Sequence, residues 1–237
     1  MFKEYESNMI WDDTGYLVYK NKFNENSLIA EVFTKNHGKV TGIIFGGTSR
    51  KIKNYLQIGN KVYVNYSSKS ENKIGYFKIE ILKALSPLYF DNQKKLFCIS
   101  SAMQLIKLLT AESQTNKDIY LLINNFYDLL NNDNWIKNYI FWELDLFSLI
   151  GYDLDFEKLV DKKIQDNNFR YVSKSQSQKK IIPNFLIDKN NNSEELANLL
   201  NGLKILGDFL EKTILRPNNL SQPTNRLQFI SSLKYSF

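Results

Sequence analysis

The chain has 237 residues, 43% of them hydrophobic, which fits one large domain or two small ones and excludes a disordered chain. Its net charge is +6, with one cysteine, Cys98, and one histidine, His37. Those counts exclude an internal disulfide, a Cys-x-x-Cys zinc site and most nucleophile–His–acid sets. Apolar runs stay short of the roughly 20 residues a bilayer crossing needs. The start, MFKEYESNMIWDD, is acidic and polar where a signal peptide is basic and then apolar. A soluble cytoplasmic protein is expected.

The first third reads as strands: GYLVYK (15–20), LIAEVFT (28–34), KVTGIIF (39–45), KVYVNY (61–66) and IGYFKIEI (74–81), all rich in β-branched and aromatic residues. In the last two, Val62, Val64 and Tyr66 oppose Lys61, Tyr63 and Asn65, and Phe77, Ile79 and Ile81 oppose Tyr76, Lys78 and Glu80. Asn36-His37-Gly38 makes a tight turn, and His37 reads as a polar turn residue. Five short strands in this space predict a small closed barrel of OB-fold type.

Charge is unevenly placed. Residues 35–78 carry nine basic residues and one acid, Glu71, a local balance of +8 that exceeds the whole chain's. Such a stretch predicts a polyanionic partner, nucleic acid first. Its centre is FGGTSRKIK (45–53), where an apolar strand gives way to two glycines and then to cations. Glycine lets the backbone turn sharply and approach a sugar-phosphate chain. Lys35, Lys39, Arg50, Lys51 and Lys53 form the expected phosphate-contacting set, with Lys61 next. Tyr63 and Tyr76, on the polar faces of their strands, are candidates for stacking bases. Arg170 and Lys174 extend the positive surface, and Lys179 and Lys180 fit a solvated loop.

Ser86-Pro87 marks a boundary, after which the apolar period changes from two to about 3.6. FCISSAMQLIKLLTA (97–111) and KDIYLLINNFYDLL (117–130) each show one apolar face, and Cys98 reads as a small buried hydrophobe. WIKNYIFWELDLFSLI (135–150) is apolar almost all round and belongs at the centre of a helical bundle. Asp133 is its expected N-cap and Gly151 its C′ residue; Glu143 and Asp145 are read as solvated or capping. Residues 156–192 are polar and poorly periodic, an irregular insertion of short strands and loops. Ser193, followed by Glu194 and Glu195, caps a last helix with a leucine stripe from Leu196 to Leu210 that ends at Arg216-Pro217. The domain expectation is a barrel over residues 1–83 and a helical domain over 84–237, an α+β chain.

Catalytic signatures are weak. Gly46-Gly47 is followed by no P-loop pattern, and no helical pattern begins there. The tight acid pairs, Asp12-Asp13 and Asp153/Asp155, read as a strand entry and a helix exit. A basic region with a single acid is wrong for a carboxylate-metal nuclease. The residues alone leave open a nucleic-acid-binding module, a general RNA-binding OB-fold protein, such a nuclease, and an adaptor with incidental lysine.

Residues 25–60, ENSLIAEVFTKNHGKVTGIIFGGTSRKIKNYLQIGN, resemble the N-terminal barrel of the RecO family of bacterial DNA-repair mediators. They match at Ser27, Phe33-Thr34, Gly38-Lys39, Gly46-Gly47, Arg50-Lys51 and Leu56-Gln57. FWELDLFSLIGYDLDF (141–156) is similar to the family's aromatic-Glu-Leu helix ending; RYVS (170–173) and Leu215-Arg216-Pro217 add looser matches in the same order. The resemblance implies an OB barrel, a helical domain and a zinc-finger-like insertion, in a protein with no catalytic step. It implies binding of single- and double-stranded DNA, strand annealing, contact with the acidic tail of single-strand-binding protein, and loading of RecA with RecR. Two departures are visible. Many members hold zinc with four insertion cysteines and residues 156–192 have none, so no metal or other cofactor is expected. Ile140 and Phe141 stand where some members carry arginines linked to the tail contact.

Overall fold

Five N-terminal strands close on themselves in the computed structural model, which describes residues 9–70, 73–165, 168–174, 180–189 and 195–234. They are β1 (Met9–Lys22), β2 (Ser27–Thr34), β3 (Gly38–Phe45), β4 (Lys61–Ser68) and β5 (Gly75–Lys83), in the order β1-β2-β3-β5-β4. This is the OB-fold barrel. The expected strands are all present, but β1 starts at Met9 rather than near residue 15. Its 14 residues serve two neighbours. The first half runs along β4, from Met9 opposite Ser68 to Tyr16 opposite Lys61; the second runs along β2 after a register shift between Leu17 and Tyr19. Closure requires a strand long enough to be shared in this way.

The last seam is short. β3 and β5 pair in parallel only at Gly42–Gly75 and Ile43–Tyr76. Both glycines are needed for space. A Cβ at Gly42 would lie 2.5 Å from the Phe77 ring, and one at Gly75 would collide with the Tyr66 ring. Those rings fill the interior with Leu17, Val32, Val62 and Val64.

A six-residue helix, α1 (Arg50–Tyr55), lies between β3 and β4 where the sequence suggests none. Six residues show too little periodicity to be read. Ser49 starts the helix, its hydroxyl accepting from the Ile52 N–H at 3.4 Å, and Ile52, Tyr55 and Leu56 pack against the barrel core.

Described residues group into two compact units, one running to Asn124 and resuming at Pro223, the other Asn125–Gln222. In the first, α2 (Gln93–Leu109) is capped by Asn92 and buries Cys98, Ile99, Ala102, Met103 and Ile106. It packs against α7 (Thr224–Lys234), a helix beyond the last one expected. The segment TNRLQFISSLK lacks a clear apolar stripe; burial of Phe229 and Leu233 on α2 is what orders it. The Asn225 N–H donates to Gln104 Oε1 at 2.8 Å across that contact.

The second unit is built around α4 (Trp135–Leu149), whose Tyr139, Ile140, Leu146 and Phe147 are completely buried. Its N-cap is Asn134 rather than Asp133. Gly151, at φ +90°, ends it in a Schellman turn: its N–H donates to Ser148 O and that of Tyr152 to Phe147 O. Glu143 is wholly buried, not solvated, and burial raises the Asp145 carboxyl above its usual range against the opposing charge of Lys189. The following insertion is more regular than its composition suggests. It holds the turn α5 (Phe156–Leu159) and an antiparallel sheet of β6 (Val160–Gln165), β7 (Asn168–Ser173) and β8 (Ile181–Ile182). Phe185 anchors it, fully buried, edge-on to Phe141 at 6.1 Å and against the space left by Gly202. Gly202 lies in α6 (Leu196–Phe209), which continues through a wider π-type segment to Leu215. The expected cap Ser193 and its neighbour Glu194 lie outside the described residues. Among the described residues no helix is long and apolar enough to cross a membrane.

Replacing Gly42 by Ala forces the new methyl into the Phe77 ring. Loss of about 1–3 kcal/mol of stability is expected from this overpacking, measured by urea unfolding followed through the tryptophans.

Candidate nucleic-acid interface

At the end of β3 the chain makes two successive turns before α1. The Gly47 N–H donates to Ile44 O, and the Ser49 N–H to Gly46 O at 3.0 Å. Gly46 sits at φ +67°, and nothing lies within 4 Å of where its Cβ would be, so its backbone faces open space. Gly47 packs on the Leu28 side chain instead. Thr48 donates to Glu25 O at 2.8 Å, tying the turns to the β1–β2 connection. Arg50 follows, exposed. Lys51 and Lys53 lie on the same helix, α1, but their side chains fall outside the described residues.

The remaining cations of the expected set do not gather at this point. Lys35 is exposed on the β2–β3 turn, at the far end of that ribbon from Phe45. The seven residue steps from Gly38 to Phe45 amount to about 23 Å. The turn is held there by Asp13, which is buried and accepts from the Asn36 N–H, the Asn36 amide and His37 Nδ1. The His37 ring in turn stacks on Trp11 at 3.9 Å.

Lys39 is turned away from solvent. Its ammonium donates to Lys107 O and Thr110 O, both at 2.6 Å, at the C-terminus of α2. That end of a helix has orphan carbonyls and a negative dipole, so a lysine fits it well. Burial lowers the Lys39 pKa from its ordinary value, opposed by the charges of Glu31 and Glu112. Burial likewise raises Glu31, opposed by Lys107, which pairs with it at 3.4 Å. Lys61 is similarly engaged: it donates to Asn124 Oδ1 at 3.1 Å and lies over the Tyr16 and Tyr120 rings. Asn124 and Tyr120 belong to α3 (Lys117–Leu130).

The two tyrosines differ. The Tyr63 hydroxyl bonds to Asp12, which raises its pKa, and Tyr63 pairs across the strands with Glu80. Its surroundings are acidic. Tyr76 is 39% exposed and stacks on Phe45, itself 65% exposed, with centroids 5.0 Å apart and planes inclined by 19°. The β3–β5 seam places the two rings together. Phe45 opens the stretch FGGTSRKIK, but its partner is 31 positions away and only barrel closure brings the two together. Two residues past Tyr76, Lys78 is exposed on the same strand face, and Lys73 precedes it in the β4–β5 connection.

Lys20 and Lys22 were also not distinguished by the sequence pattern. With Asn21, Glu25, Leu28, Gly47 and Thr48 they line a cleft of about 440 Å3 beside the glycine turn. Lys20 donates to Leu56 O, and Lys22 is exposed. In the second unit, Lys174 is exposed and donates to Lys158 O at 3.0 Å. Arg170 is in register with Lys163 on β6, but its side chain falls outside the described residues. Lys180 is paired with Asp208, and Lys179 is outside the described residues. Among the described residues no group of three His, Cys, Asp or Glu side chains is placed to hold a metal ion.

Comparison with known proteins agrees with the order of these elements. The family model described as Recombination protein O N terminal matches residues 9–85, and that described as Recombination protein O C terminal matches residues 92–200. A DNA repair protein RecO from Wolbachia sp. subsp. Drosophila simulans is 28% identical over 241 residues, covering 94% of this chain and 100% of its own. One from Rickettsia canadensis is 32% identical over 161 residues, covering 68% and 66%. A third, from Rhodospirillum centenum, is 23% identical with 94% of both chains covered.

The structural role of Lys39 separates it from Lys35. Lys39→Met leaves carbonyls at the α2 terminus without donors and is expected to lower stability by about 1–3 kcal/mol. Lys35→Met should stay within about 0.5 kcal/mol of the parent. Paired urea titrations of the two variants check this.

Proposed function

The chain belongs to the RecO family and has a role in DNA repair, and on that premise we propose that it is a DNA-binding recombination mediator acting at gaps and double-strand breaks. In this reading it binds single- and double-stranded DNA, anneals complementary strands and, with RecR, helps load RecA onto DNA covered by single-strand-binding protein, whose tail it contacts. It works without a catalytic step or cofactor, in the cytoplasm at the nucleoid. The DNA-binding module is the barrel, residues 1–83, followed by the helical domain, residues 84–237.

The observation that carries the reading is the glycine turn after β3. It combines an open backbone at Gly46, the exposed Arg50 and a sequence with Lys51 and Lys53 on the same short helix. Lys22, Lys73 and Lys78 add exposed charge on the adjoining elements. Phosphate contacts of this kind give affinity without reading bases, as a protein acting at any gap requires. Lys35, Arg170 and Lys174 are kept as outlying contacts. Lys39 and Lys61 are engaged by α2 and α3 instead, and Tyr63 has acidic neighbours that disfavour a polyanion.

The family's contact with an acidic tail is carried by the family alone. Around Phe141 this chain places Asp145, Asp153, Asp155 and Glu157 on one cleft, with Lys189 as its cation.

Reversing Arg50, Lys51 and Lys53 to Glu together should weaken binding to a single strand. The slope of log affinity against log salt should fall by about 2, at roughly 0.7 per lost phosphate contact. A salt titration by fluorescence anisotropy reads both; an unchanged slope would place the phosphate path elsewhere.

A further inference from the structure

We infer that Phe45 and Tyr76 form a stacking platform for unpaired nucleobases, so that the barrel holds single strands in preference to duplex. This rests on the DNA-binding reading above and goes further, by naming the strand form and the contact that selects it.

Four observations converge on the pair. Two large aromatic side chains stay exposed, Phe45 at 65% and Tyr76 at 39%, beside Ile74 at 51%. The two rings steady each other in a stack, 5.0 Å between centroids at 19°, while both residues keep surface open to solvent. Position is fixed by the barrel, because Tyr76 pairs with Ile43 on one side and Ser67 on the other. Immediately after Phe45, Gly46 has nothing within 4 Å of where its Cβ would stand.

Charge decides the occupant. Arg50, Lys73 and Lys78, all exposed, flank the pair along the chain. An apolar patch set among cations suits a ligand with flat π faces and a negative backbone, which describes a single strand of nucleic acid. A duplex keeps its base faces stacked internally and presents only phosphate and groove edges. It can use the cations but not the rings.

The test compares a thymidine oligonucleotide with a duplex of equal length, by anisotropy at fixed salt, using the full chain. Phe45→Ala/Tyr76→Ala should lose about 5- to 100-fold affinity for the single strand, stay within about twofold on duplex, and keep the parent's salt slope. Tyr76→Phe should bind as the parent does, because the ring remains. Phe45→Leu, apolar but without a ring, should show a loss. Loss of the ring stack should cost little stability, so thermal unfolding of the double variant should fall by only a few degrees and leave it folded at the assay temperature. Equal loss on both substrates, no loss on the single strand, or a Phe45→Leu variant as tight as the parent would overturn the platform while leaving DNA binding intact. A parent protein that binds neither oligonucleotide would overturn the DNA-binding reading and this inference together.

Discussion

Everything about the candidate site depends on a two-residue parallel seam. A side chain at Gly42 or Gly75 would strain this seam, since the interior at that level is already occupied by Phe77 and Tyr66. Parallel pairing is the weaker kind of ladder, and here it is short. The glycines compensate by letting the strands approach while large rings fill the core. The same seam brings the end of β3 to the start of β5, and with it Phe45 to Tyr76. Core packing and surface display are therefore set by one contact.

A basic stretch is not one surface. Of the lysines in residues 35–78, Lys39 satisfies the end of α2 and Lys61 satisfies Asn124 and two tyrosine rings. Both use charge to join helices to the barrel rather than to meet a ligand. Among the described residues, the exposed cations include Arg50 at the glycine turn, Lys69 and Lys73 at the β4–β5 connection, Lys78 on β5 and, about 23 Å along β3 from Phe45, Lys35 on the opposite turn. The net of +8 in the sequence thus overstates the local field at any single point. The glycine turn is favoured because it couples charge to an accessible backbone.

Much of the barrel was legible in the sequence because alternation at Val62, Val64 and Tyr66 and at Phe77, Ile79 and Ile81 reflects one buried face. The first half of β1 was not. Its polar residues Asp12 and Asp13 hide a strand, and Asp13 is buried to hold the β2–β3 turn. α1 was too short to show a period, and α7 is ordered by its packing on α2 rather than by its own pattern. The apolar character of 135–150 correctly marked a central helix, while complete burial of Glu143 depends on surroundings no local pattern reports. For the site, residue types pointed to the glycine turn, but the partners of Lys39 lie 68 and 71 residues away and that of Lys61 lies 63 away. Such contacts appear only after folding, as does the Phe45–Tyr76 pair.

The central claim is that the barrel, at the turn between β3 and α1 and at the start of β5, is where this protein meets a polynucleotide. Amide hydrogen exchange with and without a saturating thymidine oligonucleotide tests it directly. The account predicts slowed exchange across residues 45–55 and 75–78, with α4 unchanged. Slowed exchange confined to α4 and the β6–β8 sheet, with the barrel unaffected, would contradict it.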